Sequence, residues 1–301
     1  MLRFAVCGAG RIGRVHAANI ARHPKARLEW VIDVDRAAAE GVAERYGARA
    51  GATLEGALEA VDAVLIASPT PTHVPLIELA AGARRAIFCE KPIDLDLERV
   101  DRLLEGLDRD AVPFFVGFNR RFDPSFARLK AQLAGGAIGA LEMLTLTSRD
   151  PSPPPPDYVR SSGGLFRDMM IHDFDMARWL IGGDPVEVHA MASNLVDPQI
   201  GAAGDVDTAV VLMRAKSGAL VQITNSRRAV YGYDQRIEAF GARGMLLAEN
   251  ERESTVVRYG EDGVVAEKPL HFFLERYAAA YRAELDHFVD ALDARDPVLL
   301  V

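Results

Sequence analysis

The sequence predicts an α/β chain of two domains: a doubly wound parallel sheet over residues 1–120, then an α+β domain with a large, mainly antiparallel open sheet over residues 121–301. Three observations carry this. Short β-branched runs alternate with amphipathic helical stretches through the first domain, which is the rhythm of a parallel sheet covered on both faces. The alternation stops near Asn119, and closely spaced strand-like runs joined by Gly-containing turns follow. At 301 residues the chain also exceeds what one hydrophobic core usually serves.

In order, "RFAVCG", "LEWVID", "AVLIAS", "AIFCE" and "PFFVGF" read as strands, with helices over Ile12 to Arg22, Arg36 to Tyr46, Val74 to Ala81 and Leu97 to Leu107. Asp123 and Pro124 then supply the N-cap and first turn of a helix that closes at Gly135 and Gly136. The runs "LEMLTLTS", "VEVHAMAS", "DTAVVLMR", "ALVQITNS", "QRIEAF" and "MLLAEN" form the second sheet, with "AKSG" and "GARG" as hairpin turns. Pro151 to Tyr158, "PSPPPPDY", should be extended and stiff, as a surface connection or a lid. A last helix is expected from about Phe273 to Ala294.

Composition excludes several classes. Lys plus Arg number 35 against 43 Asp plus Glu, a formal charge of −8 without a basic run, so nucleic acid is not an expected partner. No apolar stretch is long enough for a signal sequence or a membrane span, so the expected location is cytoplasmic. The two cysteines, Cys7 and Cys89, lie at the ends of buried strands and outside any CxxC spacing; they read as small core residues, not a zinc or disulfide framework.

Directly after the first strand, "GAGRIG" places Gly8, Gly10 and Gly13, with Arg11 and Ile12 between them, at the opening of a helix. Glycines there permit a tight turn and close backbone approach to a pyrophosphate at the helix N-terminus, the fingerprint of a Rossmann dinucleotide site. Asp33 ends the second strand, placed for an adenosine ribose. Its carboxylate would repel a 2′-phosphate and favours NAD over NADP, although Arg11 and Arg36 keep NADP open. Two further strand ends point to the same crevice: "SPTPTH", with Ser68, Thr70 and His73, and "CEKP", with Glu90 and Lys91. All of these residues are candidate cofactor contacts, and Thr72 is a candidate helix cap. Lys91 is also a candidate catalytic ammonium.

Residues 163–183, "GGLFRDMMIHDFDMARWLIGG", read as one buried helix bounded by glycine pairs. Helical spacing sets Asp168, His172 and Asp175 on one stripe, with His172 within reach of Asp168. By spacing alone this is either a satisfied structural pair or a base tuned by its carboxylate neighbour; a metal pair would need ligands the sequence does not cluster nearby. Asp173, Asp175 and Arg178 are expected in helix-surface or interdomain ion pairs.

Together "GAGRIG", Asp33, "EKP", "GFNRRFDPSF", "SRDP" and "GGLFRDMMIHDFDMARWL" resemble the glucose-fructose oxidoreductase and inositol dehydrogenase (Gfo/Idh/MocA) family, and "NSRRAVYGYDQRIEAFG" looks most like its inositol 2-dehydrogenase branch. The resemblance spans essentially the whole chain. It implies NAD-dependent oxidation of myo-inositol to 2-keto-myo-inositol, with Lys91, Asp168 and His172 as the catalytic set and no metal. His172 would take the hydroxyl proton, Asp168 would orient and stabilise the imidazolium, and Lys91 would stabilise alkoxide charge. It also places Asn119, Arg120, Asp150, Tyr158 and Tyr233 near a polyol substrate. A homo-oligomer, dimer or tetramer, is implied through the open sheet. Similar proteins run on for a few dozen residues beyond the last helix, in a segment that packs back toward the first domain, whereas this sequence ends at Val301. The alternatives are a same-family dehydrogenase for another polyol or aldose, and a non-catalytic NAD- and sugar-binding protein.

Overall fold

The computed structural model describes residues 1–108 and 111–294. By their internal contacts the residues form two compact units, 1–119 together with 281 onward, and 120–280.

The first unit holds β1 (Leu2–Cys7), α1 (Arg11–Arg22), β2 (Ala26–Ile32), α2 (Arg36–Tyr46), β3 (Arg49–Gly51), β4 (Ala63–Ile66), α3 (His73–Gly82), β5 (Ala86–Glu90), α4 (Leu97–Gly106) and β6 (Phe114–Gly117). Its sheet runs β3-β2-β1-β4-β5-β6, every adjacent pair parallel. That order reverses between β1 and β4, the crevice where open α/β sheets bind ligands. Central strands are apolar throughout, as two covered faces require: all four residues of β4 are buried. Asp35 caps α2 through the Ala38 N–H and Asp96 caps α4 through Glu98 N–H, so each helix start has its own acceptor. The short β3 lies between expected elements; three residues carry too little periodicity to be read.

The second unit holds α5 (Pro124–Ala134), β7 (Leu141–Arg149), α6 (Pro156–Ser162), a π-helical turn (Leu165–Met169), α7 (Ile171–Ile181), β8 (Pro185–Ser193), α8 (Pro198–Ala202), β9 (Thr208–Ala215), β10 (Leu220–Ser226), β11 (Asp234–Gly241), β12 (Gly244–Ala248), the hairpin β13 (Val257–Gly260) and β14 (Gly263–Ala266), and α9 (Phe273–Arg276). Its six-stranded sheet runs β12-β11-β7-β10-β9-β8. Every pairing is antiparallel except β7 with β10, which is parallel in the register Leu144↔Val221 through Arg149↔Ser226. Alternation assigns the faces: Leu144, Leu146, Val221, Ile223, Val211 and Ala239 are buried, and the residues between them face outward.

Two expectations change here. Pro156 to Tyr158 are helical and not extended, because Pro156 sits at the first position of α6, where a missing N–H costs nothing. The expected single helix over 163–183 divides. Gly163 and Gly164 both take positive φ (88° and 81°), and the Leu165 N–H donates to Asp205 at 3.0 Å; the chain then makes a wide turn, with Met170 N–H bonded to Leu165 O, before α7 begins. A Cβ on Gly164 would stand 2.5 Å from Asp205 Oδ1, so glycine is required there.

The final helix, α10 (Ala278–Ala294), groups with the first unit from Tyr281 onward. Phe288 on it enters a ring cluster with Phe4, Phe88 and Phe115 at centroid separations of 6.1, 5.6 and 5.9 Å. A division at residue 120 does not contain this return.

Within the second unit, Asp123 does two jobs. Its Oδ1 caps α5 through the N–H groups of Ser125 and Phe126, and its Oδ2 accepts from Arg276, with both side chains 1% exposed. Asp123→Ala is expected to cost about 3–5 kcal/mol, since it removes a cap and leaves the buried Arg276 guanidinium only the longer contact to Glu251 at 3.5 Å. Asp123→Asn, which keeps the cap acceptor, should lose less. Urea unfolding of the two variants measures the difference, and equal losses would show that the cap contributes nothing beyond the ion pair.

Candidate active site

In the first unit the glycine loop is sterically determined. Gly8 has φ +104°, and a Cβ there would lie 2.6 Å from Ala67 O; a Cβ on Gly13 would lie 1.8 Å from Gly8 O. Both positions serve the turn itself. Gly10 differs: nothing lies within 4 Å of its Cβ position, so its open side is available for the close approach of a pyrophosphate at the start of α1. Asp33 is locked below the loop, its Oδ2 accepting from Ala9 N–H at 2.6 Å and its Oδ1 from Asp35 N–H at 2.9 Å. Each oxygen keeps a lone pair for a ribose hydroxyl. Arg36, a candidate for a 2′-phosphate, is instead paired with Glu40 at 2.7 Å. These residues fit a dinucleotide.

The two other strand ends are tied together by His73, which is buried. Its Nδ1 lies 2.8 Å from Pro92 O and its Nε2 2.8 Å from Ser68 O, so the imidazole joins the "SPTPTH" loop to the turn after Lys91. Ser68 and Thr72 share a 2.6 Å hydroxyl contact, and Thr72 Oγ1 donates to Pro69 O, so Thr72 organises the loop and does not cap α3. Thr70 opens the 3₁₀ turn before α3. Lys91 is half-buried immediately after β5, and Glu90 turns inward to His16 Nε2 at 2.6 Å. Cys7 and Cys89 are buried, and burial raises both thiols, Cys7 to about 12, as befits inert core residues.

In the second unit, Asp150, Tyr158 and Asp168 meet around a residue the sequence reading did not name. Arg227 is buried, with its Nη1 3.3 Å from Asp150 Oδ2 and its Nη2 3.3 Å from Asp168 Oδ2. Tyr158 OH donates to Asp168 Oδ1 at 2.9 Å. Burial pushes the Asp150 carboxyl up to about 6 against the opposing pull of Arg227. The Tyr158 hydroxyl is held protonated above its ordinary range, by burial first and then by the Asp168 carboxylate. His172 is half-buried as the second residue of α7, three residues past the π-helical turn that carries Asp168. A signal for Arg227 was present: inward alternation along β10, Val221, Ile223, Asn225, reaches it next.

Arg120 and Tyr233 sit elsewhere in this unit. Arg120 donates to Asp173 at 2.7 Å and to Ser148 at 3.2 Å, and its guanidinium lies 5.6 Å from the Tyr277 ring centroid. Asn225 donates to the other Asp173 oxygen, and Ser148 to Gln235. Tyr233 is buried, edge-on to Tyr277. Asp173 and Asp175, expected in surface or interdomain pairs, are both buried within this unit, Asp175 held by two bonds from Arg121 at 2.8 and 2.5 Å; Arg178 pairs with Asp184. Asn119, also buried, ends the first unit. A three-residue His/Glu group that could hold a metal, His16, Glu90 and Glu284, is found in the first unit among the described residues.

Two family models match the chain. The oxidoreductase family with an NAD-binding Rossmann fold covers residues 2–118, and the GFO/IDH/MocA C-terminal domain covers residues 126–247. The chain belongs to the GFO/IDH/MocA oxidoreductase family. NAD is the cofactor of this family fold. Among its members, an inositol 2-dehydrogenase of Rhizobium meliloti is 50% identical over 97% of this chain and 89% of its own length. A myo-inositol 2-dehydrogenase of Thermotoga maritima is 49% identical over 98% of this chain and 90% of its own. A scyllo-inositol dehydrogenase of Lactobacillus casei, solved with bound NAD(H) and scyllo-inositol, is 30% identical and superposes with a TM-score of 0.91 over 98% of this chain and 90% of its own.

Two outcomes are expected from this geometry. Gly10→Ala should leave thermal stability intact yet weaken NADH binding at least tenfold, because its methyl meets nothing of the fold within 4 Å and would crowd the pyrophosphate expected at the start of α1. Gly13→Ala should unfold the first unit more readily, by about 1–3 kcal/mol or more. Parallel thermal melts and NADH fluorescence titrations separate the two. For Asp150, a carboxyl with a higher pKa folded than unfolded binds its proton more tightly in the native state. The stability it contributes is therefore full below pH about 4 and is lost as pH rises to about 6. The melting temperature of Asp150→Asn relative to the parent should climb across that window and then level off, whatever constant offset the lost Arg227 contact adds. Parallel pH profiles would show that Asp150 titrates normally.

Proposed function

We propose that this protein is an NAD-dependent inositol 2-dehydrogenase that oxidises myo-inositol to 2-keto-myo-inositol. The observation that carries the reading is the near-complete match, at half identity, to inositol 2-dehydrogenases by a chain whose sequence carries the glycine loop, Asp33, Lys91, Asp168 and His172. Bound NAD supplies the hydride acceptor. The chain's residues handle the rest: the alcohol carbon loses a hydride, and the hydroxyl proton passes to the His172 imidazole as the carbonyl forms. Asp168 stabilises the resulting imidazolium and is itself held by Arg227 and Tyr158, which fix its carboxylate. Lys91 stabilises developing alkoxide charge. Asp150, Tyr158 and Asn119 offer polar groups suited to a ring of hydroxyls, whereas the buried contacts of Arg120 and Tyr233 suit them to supporting the site wall.

The enzyme works as a homo-oligomer in the cytoplasm. Supporting the first part, a row of exposed apolar residues crosses four strands of the second sheet: Met245, Phe240, Met143 and Leu220 are register neighbours, 50, 38, 50 and 49% exposed. So continuous an apolar band suits a second copy. Among the described residues no helix is long and apolar enough to cross a membrane.

The test is NADH formation by purified protein with NAD and a panel of myo-inositol, scyllo-inositol and aldoses over several pH values. Myo-inositol should give the highest kcat/KM, and no turnover with it at any pH would reject the reading. His172→Ala should reduce kcat at least a hundredfold while NADH affinity changes less than threefold. Equal loss of both would mark the histidine as structural.

A further inference from the structure

Behind the strand end that carries Lys91 lies a group of ionisable side chains that the reaction above does not use. His16 on α1, Glu90 at the end of β5 and Glu284 on α10 bring one ligand-type atom each to within 4.8 Å of one another. His16 and Glu284 are fully buried, and the Glu90 side chain is 12% exposed. His16 Nε2 stands 2.6 Å from Glu90 Oε1. The other Glu90 oxygen occupies room left by Gly117, where a Cβ would come within 3.3 Å of it. Neither oxygen of Glu284 has a hydrogen-bond partner among the described residues, nor does His16 Nδ1. Phe88 and Tyr281 wall in the imidazole with ring centroids at 5.2 and 5.6 Å.

A fully buried carboxylate without a donor is costly, and the least costly remedy is for it to keep its proton. Burial first, and the neighbouring Glu90 second, raise Glu284 well above the usual carboxyl range. The 2.6 Å His16–Glu90 contact is the length of a charge-assisted hydrogen bond, shorter than the roughly 3.3 Å between two ligand atoms on one tetrahedral zinc. A shared proton fits these distances better than a metal ion does. The titratable groups beside Glu284 are then His16 from α1 and Glu90 from β5, with Tyr281 packed edge-on against His16 and Lys91 next in sequence to Glu90.

We propose that His16 and Glu90 share a buried proton that positions Lys91, with Glu284 beside them as a neutral acid. The cluster's work is mechanical and electrostatic. Glu90 is pinned between an imidazole and the bare backbone of Gly117, so the peptide that leads into Lys91 is held from the protein interior. The neutral Glu284 closes the cluster without adding a second buried negative charge. These three are positioning residues and touch no substrate. The catalytic consequence rests on the role given to Lys91 above; the protonation state does not.

The experiment is infrared spectroscopy of the full-length protein at pH 7 in H₂O and D₂O, paired with kinetics. A protonated-carboxyl band that shifts on deuteration and is absent from Glu284→Gln is expected, and its absence from the parent overturns the proposal. His16→Leu, which removes the partner of Glu90 but keeps the bulk, should lower kcat about tenfold with little change in KM for NAD. Glu284→Gln, which keeps a neutral group of the same shape, should change kcat less than threefold. No loss in the His16 variant, a tenfold loss in the Gln variant, or stoichiometric zinc in the purified protein would overturn it. If the His16 variant does not fold, the Gln variant and the infrared band still decide. If the parent oxidises no inositol, the proposed function fails while the infrared arm still reports on Glu284.

Discussion

The second unit depends on one strand pairing, the parallel register of β7 with β10. Every other pair in that sheet is antiparallel, so this one alone brings two carboxyl ends side by side, with Arg149 opposite Ser226. The next residue on each strand is Asp150 and Arg227, joined through the Asp150 N–H to Ser226 O bond and the guanidinium contact. Arg227 then reaches Asp168 across from the π-helical turn. Two carboxylates in a buried setting repel each other, and the guanidinium between them is what makes their company tolerable. Shifting that register by one residue would turn Arg227 to the other face and leave the aspartates without their cation.

A similar economy governs the first unit. Gly8 and Gly13 are required by the fold's own backbone, whereas the Cβ position of Gly10 meets open space, so the three glycines of one motif stand in two different settings. The loops around the crevice are then fixed from beneath, by Asp33 under the glycine turn and by His73 between the loop after β4 and the turn after Lys91. A cofactor meets groups that are already oriented, which lowers the ordering cost of binding. The return of α10 adds Phe288 to the core and Glu284 to the back of the Lys91 strand end, so the end of the described chain stabilises its beginning.

Much of this was legible in the sequence because its cause is local. Alternation of apolar runs gave the strands, caps such as Asp123 and Pro124 gave helix starts, and "GAGRIG" gave the glycine turn before α1, since each depends on residues within a few positions of one another. The failures have a common source. The helix at 163–183 was read as one because apolar periodicity cannot register a π-helical turn imposed by Asp205, some forty residues away in sequence. Asp173 looked like a surface charge because its partners, Arg120 and Asn225, come from 53 and 52 residues away.

By itself, then, the sequence determined the fold class, the dinucleotide loop and the kinds of side chain available for chemistry, all properties of short windows or of a motif carried whole. Only the tertiary structure decided which of those side chains work together: Arg227 with Asp150 and Asp168, Arg120 with Asp173, His16 with Glu90 and Glu284. The reason is physical. A buried charge must find its partner wherever the fold brings one, and such pairings are set by strand register and helix packing over long sequence separations, which leave no trace in local pattern.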